Sequence, residues 1–181
     1  MPTQEAVPAR PVRPLTSWAV TLATTLYQWL LFLHVTSAGL FLAGAVVAGV
    51  AQITALQRER PSEIATLLRL ARFGVVFVGL GSLGALGFGL WLAGYVQGYS
   101  FGDTWISASI ALWVASQALG GAGGRSARRA RERAQQLAGA GDEPDAELRA
   151  LLAHRPSLLL SWASTGAVVA ILVLMVWKPG A

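Results

Sequence analysis

Charged residues occur along this chain in blocks, separated by long apolar runs. No Asp, Glu, Lys or Arg interrupts Pro14–Gln57, Phe73–Gly102, Thr104–Gly124 or Pro156–Trp177, runs of 44, 30, 21 and 22 residues. About 20 apolar residues in a helix cross the hydrocarbon of a bilayer. Lipid offers no partner for peptide N–H and C=O groups, so each crossing segment must satisfy its own as a helix. The pattern predicts an all-α protein, a four-helix up-down transmembrane bundle. Its spans fall at about 27–50, 73–97, 104–120 and 157–177. Residues 1–14, with Pro2, Pro8, Pro11 and Pro14, read as a disordered arm ahead of a single membrane domain over 15–181.

The connections carry their own signals. Gln57-Arg58-Glu59-Arg60 followed by Pro61 ends the first helix, and Ser62–Leu70 predicts a short helix leading into the second span. Gly98–Asp103 predicts a tight connection. Gly120-Gly121-Ala122-Gly123-Gly124 is expected to break the chain, with a basic, alanine-rich helix following at Arg125–Ala138. Asp145–His154 predicts one more short amphipathic helix, with Leu148, Leu151 and Leu152 on one side. Pro156 suits the first turn of the last span. Arg10 and Arg13 before an apolar run, with Thr36-Ser37-Ala38 inside it, resemble a signal peptide. The run continues well beyond the roughly 7–15 residues of such a segment, so a retained helix is expected.

Charge then orients the bundle. The two long connections hold Arg58, Arg60, Arg69, Arg72, Arg125, Arg128, Arg129, Arg131, Arg133, Arg149 and Arg155, whereas the other side holds Arg10, Arg13 and Lys178. Eleven basic residues against three place the long loops in the cytoplasm and both termini outside, in a multi-pass protein of the bacterial inner membrane. Trp18, Tyr27, Trp29, Trp91, Tyr95, Tyr99, Trp105 and Trp177 gather toward the opposite end, as interfacial aromatic residues do. The net charge of +5 belongs to these loops. It meets anionic headgroups there and does not point to nucleic acid. Hydrophobic residues make up 54% and charged residues 13%, and cysteine is absent, which removes disulfides and thiolate chemistry.

Few side chains are left for chemistry. Gly81, Ala85, Gly89 and Ala93 form a four-residue stripe on the second span, which predicts close helix packing. Ala111 and Ala115, and Ala163, Ala167, Gly166 and Ala170, suggest weaker versions on the third and fourth. Asp103 reads as an N-cap and Lys178 as an interfacial anchor. His34 is the ionisable side chain well inside a span, apart from the tyrosines. An imidazole at that depth is suited to ligating haem iron or another metal, shuttling protons or hydrogen-bonding a quinone; it equally suits a neutral ring bonded across a helix interface. His154 lies at the other end of the bundle, so the two histidines cannot serve one haem. No span carries the midplane carboxylate that a proton- or ion-coupled carrier uses. No catalytic constellation is visible.

As a set these residues are familiar. Phe32-Leu33-His34-Val35, Gly89-Leu90-Trp91, Tyr99-Ser100-Phe101-Gly102-Asp103-Thr104-Trp105, Ser109-Ile110-Ala111-Leu112 and Leu174-Met175-Val176-Trp177-Lys178-Pro179 resemble a bacterial family of predicted integral membrane proteins, domain of unknown function 2269. The resemblance covers about residues 27–179 and implies four spans with no assigned activity. More distantly the first helix is similar to that of the copper-resistance D type and HemJ-like oxidase membrane proteins. In those, a first-helix histidine is implicated in haem or metal chemistry, and His34 is the residue that matches. The further intramembrane histidines of the one and the internal lysine of the other have no counterpart here.

Three functional readings follow. The first is an accessory or scaffold component that needs no cofactor and packs with itself or with another membrane complex. The second is a haem-binding redox or haem-handling protein, with His34 as axial ligand to haem b. Ser37, Ala38 and Gly39 would leave a recess for it, with Trp29 and Trp91 as walls. No second ligand is visible, so the iron would be five-coordinate or would bridge two protomers. The third is a small transporter or channel. The orientation itself is directly testable, because the chain has no cysteine of its own. Thr3→Cys and Ala140→Cys should label from opposite sides of intact vesicles; labelling of both from the cytoplasmic side would invert the assignment.

Overall fold

The computed structural model describes residues 17–95 and 103–178. The proline-rich arm, residues 96 and 97 of the second span and the 98–102 connection lie outside these described residues. Five helices run in order: α1 (Ser17–Leu56), α2 (Pro61–Tyr95), α3 (Thr104–Gly139), α4 (Ala146–Leu152) and α5 (Arg155–Trp177). There is no strand among the described residues. α1, α2, α3 and the α4–α5 stretch each contain a segment long and apolar enough to cross a membrane. With 40, 35 and 36 residues, the first three helices exceed the roughly 20 that a bilayer needs. The arginines of α2 and α3 lie in the parts of these helices beyond the charge-free runs.

Two expected interruptions are absent. Ser62–Leu70 is the first part of α2 and not a separate helix, since no glycine or proline separates it from Phe73. Pro61 stands at the start, where its missing N–H has no helical partner to lose. The glycines at 120–124 do not break α3 either. They serve contact. A Cβ on Gly123 would lie 2.7 Å from Ser161 Oγ and 2.9 Å from the Ser157 carbonyl, and one on Gly120 would lie 3.1 Å from Ser164 Oγ. Each helical glycine costs up to about 1 kcal/mol relative to alanine. The close approach to α5 offsets that cost, and lipid penalises any peptide group left unbonded. Ser164 Oγ also donates to the Ser116 carbonyl at 2.8 Å. The α3–α5 seam therefore uses serine and glycine, whereas Ala111, Ala115 and Ala163 point outward and Gly166 faces open space.

The α1–α2 seam follows the glycine stripe as expected. A Cβ on Gly44 would sit 2.6 Å from the Gly74 carbonyl, and one on Gly74 would sit 2.7 Å from the Ala48 amide. Gly81 lies against the backbone of Phe41 and the Ser37 carbonyl. Helix neighbours thus run α1 on α2, α2 on α3 and α3 on α5, while the backbones of α1 and α5 do not come close among the described residues. The row curls, because residues from all four helices line one cavity.

The most buried apolar cluster is not in the membrane part. Ala55, Ile64, Ala65, Leu68, Ala130, Ala134, Leu148 and Leu152 meet at the arginine-rich end, where α4 covers the projecting ends of α1, α2 and α3. Full burial of a leucine or isoleucine is worth about 1.5–3 kcal/mol. Polar ties hold this cap. Ser62 N–H and Oγ–H both donate to Asp142 at 2.7 Å. Asp142 has a positive φ of 59°, beside Gly141 at 121°, in the turn before α4. Asp145 caps α4 by accepting from Leu148 N–H at 2.6 Å and receives Arg133 Nη2 at 2.9 Å. Large apolar side chains over the rest of α1, α2 and α5, such as Val46, Leu80 and Val176, are exposed to where lipid lies.

Two predictions follow from this packing. Gly81→Ala should destabilise the bundle by about 1–3 kcal/mol through overpacking, while Gly79→Ala, where a Cβ meets nothing within 4 Å, should be neutral or stabilising. Unfolding by denaturing detergent measures both, and equal effects would contradict the seam. Donation by the Ser62 hydroxyl, then by its amide, holds the Asp142 carboxyl below its usual 3.8. The Leu148 amide and Arg133 do the same for Asp145. A carboxyl lowered in the fold stabilises it above the unfolded value, and this contribution is lost as pH falls through the folded value. The separation of spin labels at Gln57 and Ala150 should therefore hold from neutrality to about pH 4 and widen below. Asp142→Asn should loosen the cap at neutral pH and flatten that dependence.

Candidate functional site

The space between α1 and α5 is a cavity of about 470 Å³, backed by α2 and α3. Its α1 wall includes Tyr27, Leu31, His34, Ala38 and Phe41, and its α5 wall includes Val168, Ile171, Leu172, Met175 and Lys178. That volume lies within the roughly 300–1,000 Å³ of small-molecule sites.

His34 is half-buried, and its Nδ1 lies 2.9 Å from the Ala85 carbonyl of α2. A carbonyl can only accept, so Nδ1 carries the proton. In the neutral ring Nε2, on the edge turned away from Ala85, then holds the lone pair. No described residue bonds to Nε2. The same arrangement, one imidazole nitrogen donating to a backbone carbonyl, fixes the tautomer of metal-ligating histidines. Gly89 makes room for the ring: a Cβ there would lie 2.9 Å from His34 Cε1 and 3.0 Å from Nδ1. The lower part of the Gly81–Ala93 stripe seats α1, and its upper part seats an imidazole.

Ser82 forms a second polar point in the back wall. It is buried and accepts from Trp113 Nε1 at 2.8 Å and from the Gln117 side-chain amide. Sequence reasoning missed Trp113 and Gln117. The available signal was an amide on a charge-free span, where a polar group must find a partner.

The chain matches, over residues 28–179, the family model described as Predicted integral membrane protein (DUF2269). The chain belongs to this family. No curated protein and no solved structure matches it. The match covers all four spans in the order the sequence predicted, and the protein is a multi-pass integral membrane protein.

Not every expected neighbour of His34 is at the cavity. Ala38 lines it, but Ser37 packs on Gly84 of α2 and Gly39 faces open space. Trp29 and Trp91 are 59% and 57% exposed and turn outward, Trp29 against Phe32 at 5.9 Å between ring centres. Trp105, only 8% exposed, and Trp113 provide the aromatic wall instead. Rotation about the helix axis decides which tryptophans turn inward.

His154 caps α5 at the arginine-rich end, accepting from Ser157 N–H at 3.4 Å, so it stands far from His34. Asp103 precedes α3 with extended backbone and accepts from Ile106 and Ser107 N–H through its carbonyl. Its side chain makes no cap hydrogen bond, contrary to expectation. Lys178 takes a left-handed conformation (φ 42°) at the end of α5, with its ammonium 5.7 Å from the Trp105 ring centre, at the cavity's aromatic end. No group of three or more His, Cys, Asp or Glu residues able to hold a metal ion exists among the described residues.

Proposed function

We propose that this protein binds haem b in the membrane, with His34 Nε2 as axial ligand. The observation that carries the reading is the His34 Nδ1–H bond to the Ala85 carbonyl, which leaves Nε2 as the lone-pair nitrogen of a residue lining a 470 Å³ cavity. The rest of the donor set fits this group better than it fits a bare metal ion. A free cation needs several protein ligands, and no such cluster is described. A porphyrin brings four nitrogens of its own and asks the protein for one or two ligands. Trp105 and Trp113 offer apolar walls, Ala38, Ala85 and Gly89 leave space beside the ring, and Lys178 supplies positive charge for a carboxylate at the aqueous rim. Bound haem supplies one-electron chemistry.

The accessory or scaffold reading draws on the glycine stripe together with the scarcity of reactive side chains. Gly74, Gly81, Gly84 and Gly89 face α1 within this chain, so a partner would have to use other faces. The proposal places the protein in the bacterial inner membrane, with the arginine-rich cap in the cytoplasm and the haem nearer the outer face. Exposed Arg125, Arg128 and Arg129, just beyond the third span, meet anionic headgroups in this setting.

Protein purified from haem-replete cells should show a Soret band that His34→Ala abolishes while the variant still inserts and resists denaturing detergent like the wild type. A colourless wild-type preparation that also fails to take up added haemin would remove the reading.

A further inference from the structure

We infer that Met175 is the second axial ligand of the haem site, opposite His34. The inference rests on the haem reading above and names what the sequence left missing: a sixth ligand from the same chain.

The topology supplies the opposition. α1 and α5 are the two ends of the helix row, their backbones do not approach each other among the described residues, and both line the cavity. A flat macrocycle held between them takes one ligand from each wall. On the α5 wall, Val168, Ile171 and Leu172 have no donor atom, and Lys178 places its amine over the Trp105 ring at the cavity's aromatic end. Met175 presents a neutral thioether, the sulfur that pairs with histidine in cytochromes of the c type.

Depth can be checked along the chain. His34 meets α2 between Ala85 and Gly89, about five residues toward the aromatic end from Ser82. Ser82 meets α3 between Trp113 and Gln117, and Ser164 on α5 meets α3 between Ser116 and Gly120. Counting equal rises along these antiparallel helices puts the imidazole level with about Ile171–Leu172. The Met175 Cα is then roughly one turn, about 5 Å, farther toward the aromatic end. A helical side chain leans toward its own helix N-terminus and covers the preceding turn. For α5 that direction is back toward Ile171 and Leu172, the level of His34. A methionine three or four residues nearer the helix start would reach past it.

The test uses the full chain in mild detergent, loaded with haemin and examined in the ferric state by absorption and electron paramagnetic resonance. The wild type should bind one haem per chain and be low-spin, with the near-infrared sulfur-to-iron charge-transfer band of methionine ligation. Met175→Leu, of nearly equal volume, should keep the Soret band but become high-spin and lose the near-infrared band. Met175→His should return the iron to low spin without that band and lower its reduction potential, because methionine ligation raises it. A high-spin wild type, a Met175→Leu protein that stays low-spin, or one haem per two chains would each overturn the assignment while leaving His34 as ligand. Failure of the wild type to bind haem at all would overturn the His34 reading and this one with it.

Discussion

Everything at the site depends on how closely α1 and α2 approach. Lipid gives apolar side chains no reason to leave it, so membrane helices gain association energy from packing backbone against backbone. Gly44, Gly74 and Gly81 permit that contact, with carbonyls and amides of the partner helix where a Cβ would otherwise stand. Only because α1 lies so near can the His34 imidazole reach a main-chain carbonyl of α2. That carbonyl has lost nothing by accepting, since each has a second lone pair beyond the one used in the helix. A ring in hydrocarbon finds a partner for its Nδ1–H without any further polar side chain.

The same chain builds its two seams differently. α1 and α2 meet through glycine and alanine, while α3 and α5 meet through Ser116, Gly120 and Gly123 against Ser157, Ser161 and Ser164. Serine adds hydrogen bonds where glycine adds only proximity. Beyond the lipid the logic reverses. The cap around Ile64 and Leu148 is an ordinary water-driven core, ringed by arginine–carboxylate pairs such as Arg133–Asp145 and Arg149–Glu59. Exposed pairs of this kind are worth little by themselves, so the apolar cluster carries the cap.

The spans were legible because charge is excluded from lipid, a constraint visible residue by residue. The continuity of α3 was not. Four glycines in five residues read as a break when judged by propensity in water, yet a membrane segment keeps its peptide bonds paired, and α5 needs the space that Gly120 and Gly123 leave. His34 was legible as a polar side chain out of place. Its surroundings were only half so. Sequence position gives depth along a helix but leaves open which way a side chain faces, hence Trp29 and Trp91 turn to lipid while Trp105 and Trp113 turn inward. Met175 carries no signal at all until α5 is placed across from α1, because methionine among valines and leucines is unremarked in any span.

The separation of α1 and α5 has a consequence for the route by which anything reaches this cavity. Among the described residues no helix stands between α1 and α5 to close it. If that side faces lipid, a molecule dissolved in hydrocarbon would enter sideways, by diffusing in the plane of the membrane, and the concentration it presents would be its concentration in lipid. Partition then comes before recognition. An apolar compound scarce in water can be abundant at this opening, and adding empty membrane dilutes it away. The affinity that matters for such a site is defined per unit of lipid.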